Sequence, residues 1–226
     1  MVAPGSSDTG SGPDVSGEPA GQPATGAARL DVTGRRRLAA LAGHTGDRTS
    51  ARRALTDSDP SVRTTALGAL RRLGDLSDAD LATAIADPAP AVRRRAIELA
   101  ADRPEVEVGH ALADRDASVV EMAAWALGEQ GSSAAVPALV ALAAVDGGHS
   151  DPLCREAAVA ALGAIGDPDG LAAVLGALDD KPANRRRAAA ALAAFEGPEV
   201  DAALQRCLDD RDWQVRQVAE DLLADG

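Results

Sequence analysis

The amino-acid sequence predicts an all-α protein, and within that class a right-handed α-solenoid of stacked helical hairpins. Three observations carry this. Ala makes up about half of the hydrophobic residues, roughly fifty positions in 226, while aromatic residues amount to 1%. Ala, Leu and Arg, all abundant here, head the ranking of helix propensities, whereas sandwiches and barrels draw on β-branched and aromatic strands. Finally, a frame of about thirty residues recurs from residue 30 onward, which is the signature of a repeat architecture. A core so short of large side chains has to come from helix backbones that approach closely.

Residues 1–28 are half Gly, Pro and Ser, with only Asp8, Asp14 and Glu18 charged. They carry no apolar period that could offset the entropy of ordering, so they are expected to be a disordered tail or tether. Residues 29–226 are expected to form the solenoid. Its frame is clearest in Asp-x-Asp-Pro-x-Val-Arg over residues 57–63. With the Arg as anchor, the frame recurs at Arg63, Arg93, Val120, Arg155, Arg185 and Arg216, and a degenerate copy sits at Arg35. Three residues after the six anchors stand Ala66, Ala96, Ala123, Ala158, Ala188 and Ala219. Six before them stand Asp57, Asp87, Asp114, His149, Asp179 and Asp210.

Each part of the frame has a physical task. Asp59-Pro60 and Asp151-Pro152 pair an N-cap with a proline at the first helical position, which starts a helix sharply. Ala at +3 and the apolar residue at +7 share one face, and the small Ala lets a neighbouring helix come near. Gly74, Gly131 and Gly166 suit the left-handed position that closes a helix. A shorter apolar helix is expected before each Asp turn, over residues 79–86, 106–113, 135–145, 171–178 and 200–208. Val120 in place of the Arg and His149 in place of the Asp are the two departures from the frame.

These frames, above all 57–75 and 151–167, resemble the HEAT repeat in its short phycobilisome-lyase-like form. The resemblance implies second helices lining a concave groove, and Asp and Arg of adjacent repeats paired along the stack. It does not carry over chemistry. Di-iron hydroxylases built on such repeats use His-Glu pairs, and none of His44, His110 and His149 begins one. Too few aromatics are present to line a bilin pocket.

Other chemistry is equally thin. Cys154 and Cys207 form no metal-binding or redox motif, Cys154 occupies a slot that elsewhere holds Val, and no phosphate loop or nucleophile elbow stands out. No enzyme activity, metal, cofactor or small-molecule ligand is expected. The formal charge of −12 and a pI near 4.6 argue against a nucleic-acid coat, and residues 29–226 still carry about −9. The N-terminus lacks the pattern of a secretory signal, and the longest apolar run, residues 134–145, is too short to span a bilayer. A cytoplasmic protein is expected. With Lys181 the one Lys and Asp outnumbering Glu, either a GC-rich genome or adaptation to high salt fits the composition.

Positions +1, +2 and +5 of each second helix should face the groove. Trp125 and Met122 stand there in the central repeat beside Glu121, as a hot spot of few large side chains would. Trp125 as a filler of the irregular 27-residue spacing before it is the competing reading, and both stay open. Three Arg triplets, at 35–37, 93–95 and 185–187, begin second helices. The frame accounts for the first Arg of each. Arg94, Arg95, Arg186 and Arg187 are left as candidates to take acidic groups of a partner, or as a solvated face. Trp213, in the slot that Pro usually fills, is expected to cover the end of the core. The function expected is a non-enzymatic adaptor that binds a protein partner through the concave face, with a signalling or regulatory complex among the settings that the resemblance implies. An accessory factor or cofactor chaperone for an enzyme, and nucleic-acid binding through the Arg triplets, are the alternatives.

Overall fold

The computed structural model describes Met1 and residues 30–225; the expected tail over residues 1–28 lies, apart from Met1, outside the described residues. Every regular element among the described residues is helical. In chain order these are α1 (Val32–Thr45), α2 (Arg48–Ala54), α3 (Pro60–Arg72), α4 (Asp78–Ile85), α5 (Pro90–Ala100) and α6 (Ala117–Glu129). There follow α7 (Val136–Ala143), α8 (Pro152–Ile165), α9 (Leu171–Ala177), α10 (Pro182–Ala191), α11 (Pro198–Cys207) and α12 (Trp213–Asp225). Short 3-10 turns occupy Gly109–Ala113, Ser133–Ala135, Pro168–Gly170 and Leu192–Ala194. The chain is an α-solenoid. Helix α1 is a second helix without a described first one, and six hairpins follow it.

The helix ends form as the local sequence demands. Asp59 and Asp151 cap α3 and α8 by accepting from the backbone N–H of Ser61 and Leu153, each at 2.9 Å. Gly166 closes α8 at φ 67°. The expected first helix over residues 106–113 is reduced to the 3-10 turn Gly109–Ala113. The repeat has only 27 residues between anchors, and Pro104 and Gly109 break what remains. Its irregular lead-in is held by Gln130, whose Nε2 donates to the carbonyls of Ala100, Arg103 and Val106 at 3.0–3.4 Å.

The core is a seam of small groups. All six +3 alanines are fully buried, and Leu70, Ala100, Leu127, Leu162 and Leu192 at +7 line the same seam. Second helices pack directly on one another in sequence, α1 on α3, α3 on α5, then α6, α8, α10 and α12. First helices pack on the second helix of their own hairpin, and α2 and α9 lean equally on the second helix before them. The closest points are glycine against alanine. A Cβ on Gly43 would lie 2.9 Å from the Ala69 Cα, and one on Gly128 2.9 Å from the Ala161 Cα. One on Gly163 would lie 2.6 Å from the Ala191 Cβ. The second helices are the layer that lines the concave groove.

A ladder of ion pairs runs beside this seam. Each anchor Arg forks onto the turn Asp of the next repeat: Arg35 on Asp57, Arg63 on Asp87, Arg93 on Asp114 and Arg185 on Asp210, at 2.6–3.1 Å. Arg155 does the same to Asp180, at 2.8 and 2.9 Å. The other end of the guanidinium donates to a carbonyl of its own turn, as Arg63 does to Asp57 at 2.8 Å and Arg93 to Asp87 at 2.9 Å. Asp179 is therefore not the turn residue of the fifth repeat. Asp180 takes that place, one residue later, and also accepts from the side chain of Asn184. Asn184 stands in the slot of Val62, Val92 and Val215, is 1% exposed, and leaves its Oδ1 without a partner among the described residues.

The two departures from the frame prove to be one event. Arg at 120 would have faced residue 149 of the next repeat, and both ends of that rung are missing together. Val120 is fully buried. His149 keeps the turn by accepting the Asp151 N–H on Nδ1 at 3.1 Å and by offering its carbonyl to Arg155 at 2.8 Å. Between α6 and α8 the ladder gives way to apolar contact and the Gly128–Ala161 approach.

Candidate functional site

The rungless junction underlies a groove of about 750 Å³ that runs across four second helices. Helix α5 contributes Arg94 and Glu98, α6 contributes Glu121, Met122, Trp125, Gly128 and Glu129, and α10 contributes Arg187. From α8 come Leu153, Glu156, Ala157, Ala160, Ala161 and Ala164. The alanines of α8 recur at helical spacing and make a low floor. A shallower depression of about 340 Å³ shares Ala160, Ala164 and Arg187 and continues along α10.

Trp125 stands above that floor, 42% exposed, with Leu153 of the facing helix 55% exposed and Met122 half-buried on the core beneath. The indole N–H has no hydrogen-bond partner among the described residues. Trp125 thus belongs to the groove wall and does not fill the core. Cys154, one residue after Leu153, is buried and donates to the Ala117 carbonyl at 3.3 Å. Burial pushes its thiol up to about 11, and Cys207 is raised for the same reason. Thiols held so far from ionisation are packing groups, not nucleophiles.

Half of the charge that lines the groove is paired within the chain. Arg95 pairs with Glu98 at 2.9 Å, Arg187 with Glu156 at 3.4 Å, and Arg186 with Asp212 at 2.8 Å. Arg94, Glu121 and Glu129 have no ion pair among the described residues. Of the seven residues expected to meet a partner, Trp125, Met122, Glu121, Arg94 and Arg187 line one groove. Arg95 and Arg186 do not line it. With Arg35, Arg93 and Arg185 in the ladder, the Arg triplets offer less free cationic surface than their sequence suggests.

Five lining residues fall outside the positions expected to face the groove: Gly128, Glu129, Leu153, Ala161 and Ala164. Leu153 sits two before its anchor, where other repeats carry Ser61, Ala91, Ser118, Ala183 and Gln214. A large apolar group in a slot otherwise small or polar was a usable signal. Glu129, one helical turn after Trp125, lies outside the three positions first assigned to the groove. Trp213 does not close the core either. At the first residue of α12 it is 64% exposed, and Val215 and Ala219 are the buried residues of that helix. His44 and His110 are exposed, and no group of three metal-ligating side chains comes together among the described residues.

Stacked hairpins, an inner layer of second helices and an Arg–Asp ladder define an α-solenoid repeat protein. The chain belongs to the HEAT-repeat family: the model described as HEAT repeats matches residues 106–193 and 147–224, together more than half of the chain. The complex of CpcE and CpcF of phycocyanin lyase from Nostoc sp. PCC7120 is similar at 26% identity and a TM-score of 0.55, covering 78% of this chain and 75% of that one. YIBA_ECOLI, from Escherichia coli, is similar at 17% identity and a TM-score of 0.57, covering 87% and 76%. A designed armadillo repeat protein matches at 16% identity and a TM-score of 0.55, covering 77% and 97%. No curated protein sequence matches the chain. No helix among the described residues is long and apolar enough to cross a membrane.

Proposed function

We propose that this chain is a non-catalytic adaptor that holds a protein partner in the concave groove across α5, α6, α8 and α10. Trp125 and Met122, with Leu153 opposite, supply the apolar anchor, and Arg94, Glu121 and Arg187 set the charge register around it. The observation that carries the reading is the half-exposed Trp125 over a floor of alanines. A large aromatic left in water forfeits the burial free energy that it regains when a partner covers it. Elsewhere the protein spends almost no aromatic residues, so this position is not incidental to composition.

The test is Trp125→Ala, with stability and partner capture measured together. Truncating a half-exposed indole should cost about 1–2 kcal/mol, short of the roughly 3–5 kcal/mol of a fully buried one, and so lower Tm by about 2–8 °C for a chain of this size. A partner that copurifies with the wild type should be lost. A large drop in Tm would instead return Trp125 to the core, and a retained partner would move the binding surface elsewhere.

The similarity to the CpcE and CpcF complex favours a second reading, in which the partner is an enzyme or its substrate protein and this chain is an accessory factor. Copurification of a coloured or metal-containing partner would distinguish that role from a scaffold without it.

A further inference from the structure

We infer that the occupant of the groove is a basic amphipathic helix: a partner segment with one large apolar side chain flanked, a turn away on each side, by Lys or Arg. The inference rests on the groove reading and adds the chemistry of what fills it. Glu121, Trp125 and Glu129 follow one another at intervals of four along α6, and all three are exposed. Residues four apart share a helix face, so the indole stands between two carboxylates about 12 Å apart along the axis. Neither carboxylate has an ion pair among the described residues. The other two lining carboxylates, Glu98 and Glu156, are already held by Arg95 and Arg187.

Charge therefore selects the partner in one direction. Carboxylates outnumber guanidiniums in the lining by four to two, Arg94 being the one lining cation without an ion pair among the described residues. An acidic segment laid beside Trp125 would meet Glu121 and Glu129 at close range, and the chain as a whole carries −12. A basic segment gains at both carboxylates, can place a guanidinium over the indole face, and is steered inward by the net field. The shape fits a helix rather than a globular surface. Ala157, Ala160 and Ala161 keep the floor low enough for a helix backbone to come down, while Leu153 and Trp125 form two apolar walls that a single large side chain can enter.

Two synthetic helical peptides of about four turns decide the matter. They share one Leu anchor and differ in carrying Lys and Arg, or Glu and Asp, a turn to either side. Binding is followed by peptide anisotropy and by quenching of Trp125 in a Trp213→Phe background. The basic peptide is expected to bind, and to weaken about tenfold between roughly 50 and 500 mM salt as the Debye length shrinks. It should weaken about tenfold again on Glu121→Gln with Glu129→Gln, and be lost on Trp125→Ala. Preference for the acidic peptide, or no binding of either, overturns the inference, as does an unchanged affinity in the double Gln variant. If acidic-peptide binding is lost with Trp125→Ala, the groove reading survives and only its charge assignment falls. If basic-peptide binding survives Trp125→Ala, both fall.

Discussion

At the scale of single residues, the anchor Arg and turn Asp are the most constrained groups in the molecule. In the Arg155–Asp180 rung, side-chain exposure is 9% and 6%. The Arg155 guanidinium, reinforced by the Lys181 N–H and Asn184, holds the Asp180 carboxyl down at about 2. The ladder carboxylates of Asp57, Asp114 and Asp210 are lowered by their own Arg partners in the same way, and in Asp87 the Arg63 pairing outweighs the opposing effect of burial. A carboxylate with a depressed folded pKa adds stability above its unfolded pKa of about 4, and the gain disappears as pH falls through the folded value. Asp180 alone accounts for about 2 kcal/mol of this dependence. Urea unfolding followed from pH 5 to pH 2 should show stability falling steadily below about pH 4, with a shallower slope in Asp180→Asn.

At the scale of helices, close approach decides stability more than helix propensity does. Gly163→Ala gains about 1 kcal/mol in propensity but meets the Ala191 Cα at 2.9 Å and Cβ at 2.6 Å, and overpacking of this kind costs about 1–3 kcal/mol. A net loss follows. In α9, a Cβ on Gly176 meets nothing within 4 Å, so Gly176→Ala should stabilise by about 0.5–1 kcal/mol. Thermal unfolding of the two variants should move Tm in opposite directions, and a common sign would refute the packing account.

The junction of α6 and α8 invites a second experiment. Val120→Arg alone places an unpaired cation in a dry slot and should cost about 3–5 kcal/mol. Adding His149→Asp rebuilds the rung that the other junctions have, and should recover at least about 2 kcal/mol of that loss in a double-mutant cycle. Additive effects would show that the two positions do not face one another. The recurrence of Asp, Arg and Ala at set offsets made the frame, the caps and the inner layer of second helices legible in the sequence. It did not reveal the collapse at Gly109–Ala113, which depends on how a shortened repeat is absorbed, or the slip to Asp180, which depends on which of two adjacent carboxylates meets Arg155. Trp125 and Met122 could be placed on the groove face from helical phase alone. Leu153 and Glu129 share that phase, two residues before and nine after their anchors, but positions +1, +2 and +5 stop short of both helix ends.

For the molecule as a whole, contacts reach from one repeat to the next and hardly beyond, so stability accrues junction by junction as in other solenoids. The closest contacts at the junctions are between small groups: six fully buried +3 alanines run along one seam, with Leu and Ile side chains such as Leu67, Ile97 and Leu139 buried behind them. About half of the buried hydrophobic positions are Ala, so burial removes less apolar surface from water per residue than a core built of Leu and Phe would. Heat-capacity change on unfolding scales with that surface, so calorimetry should return a value below the usual 12 cal/mol/K per residue or so. A small heat-capacity change flattens the curve of stability against temperature. The alanine seam therefore implies a protein whose folding free energy is modest at its maximum yet declines slowly on either side, with cold unfolding displaced far below the freezing point of water.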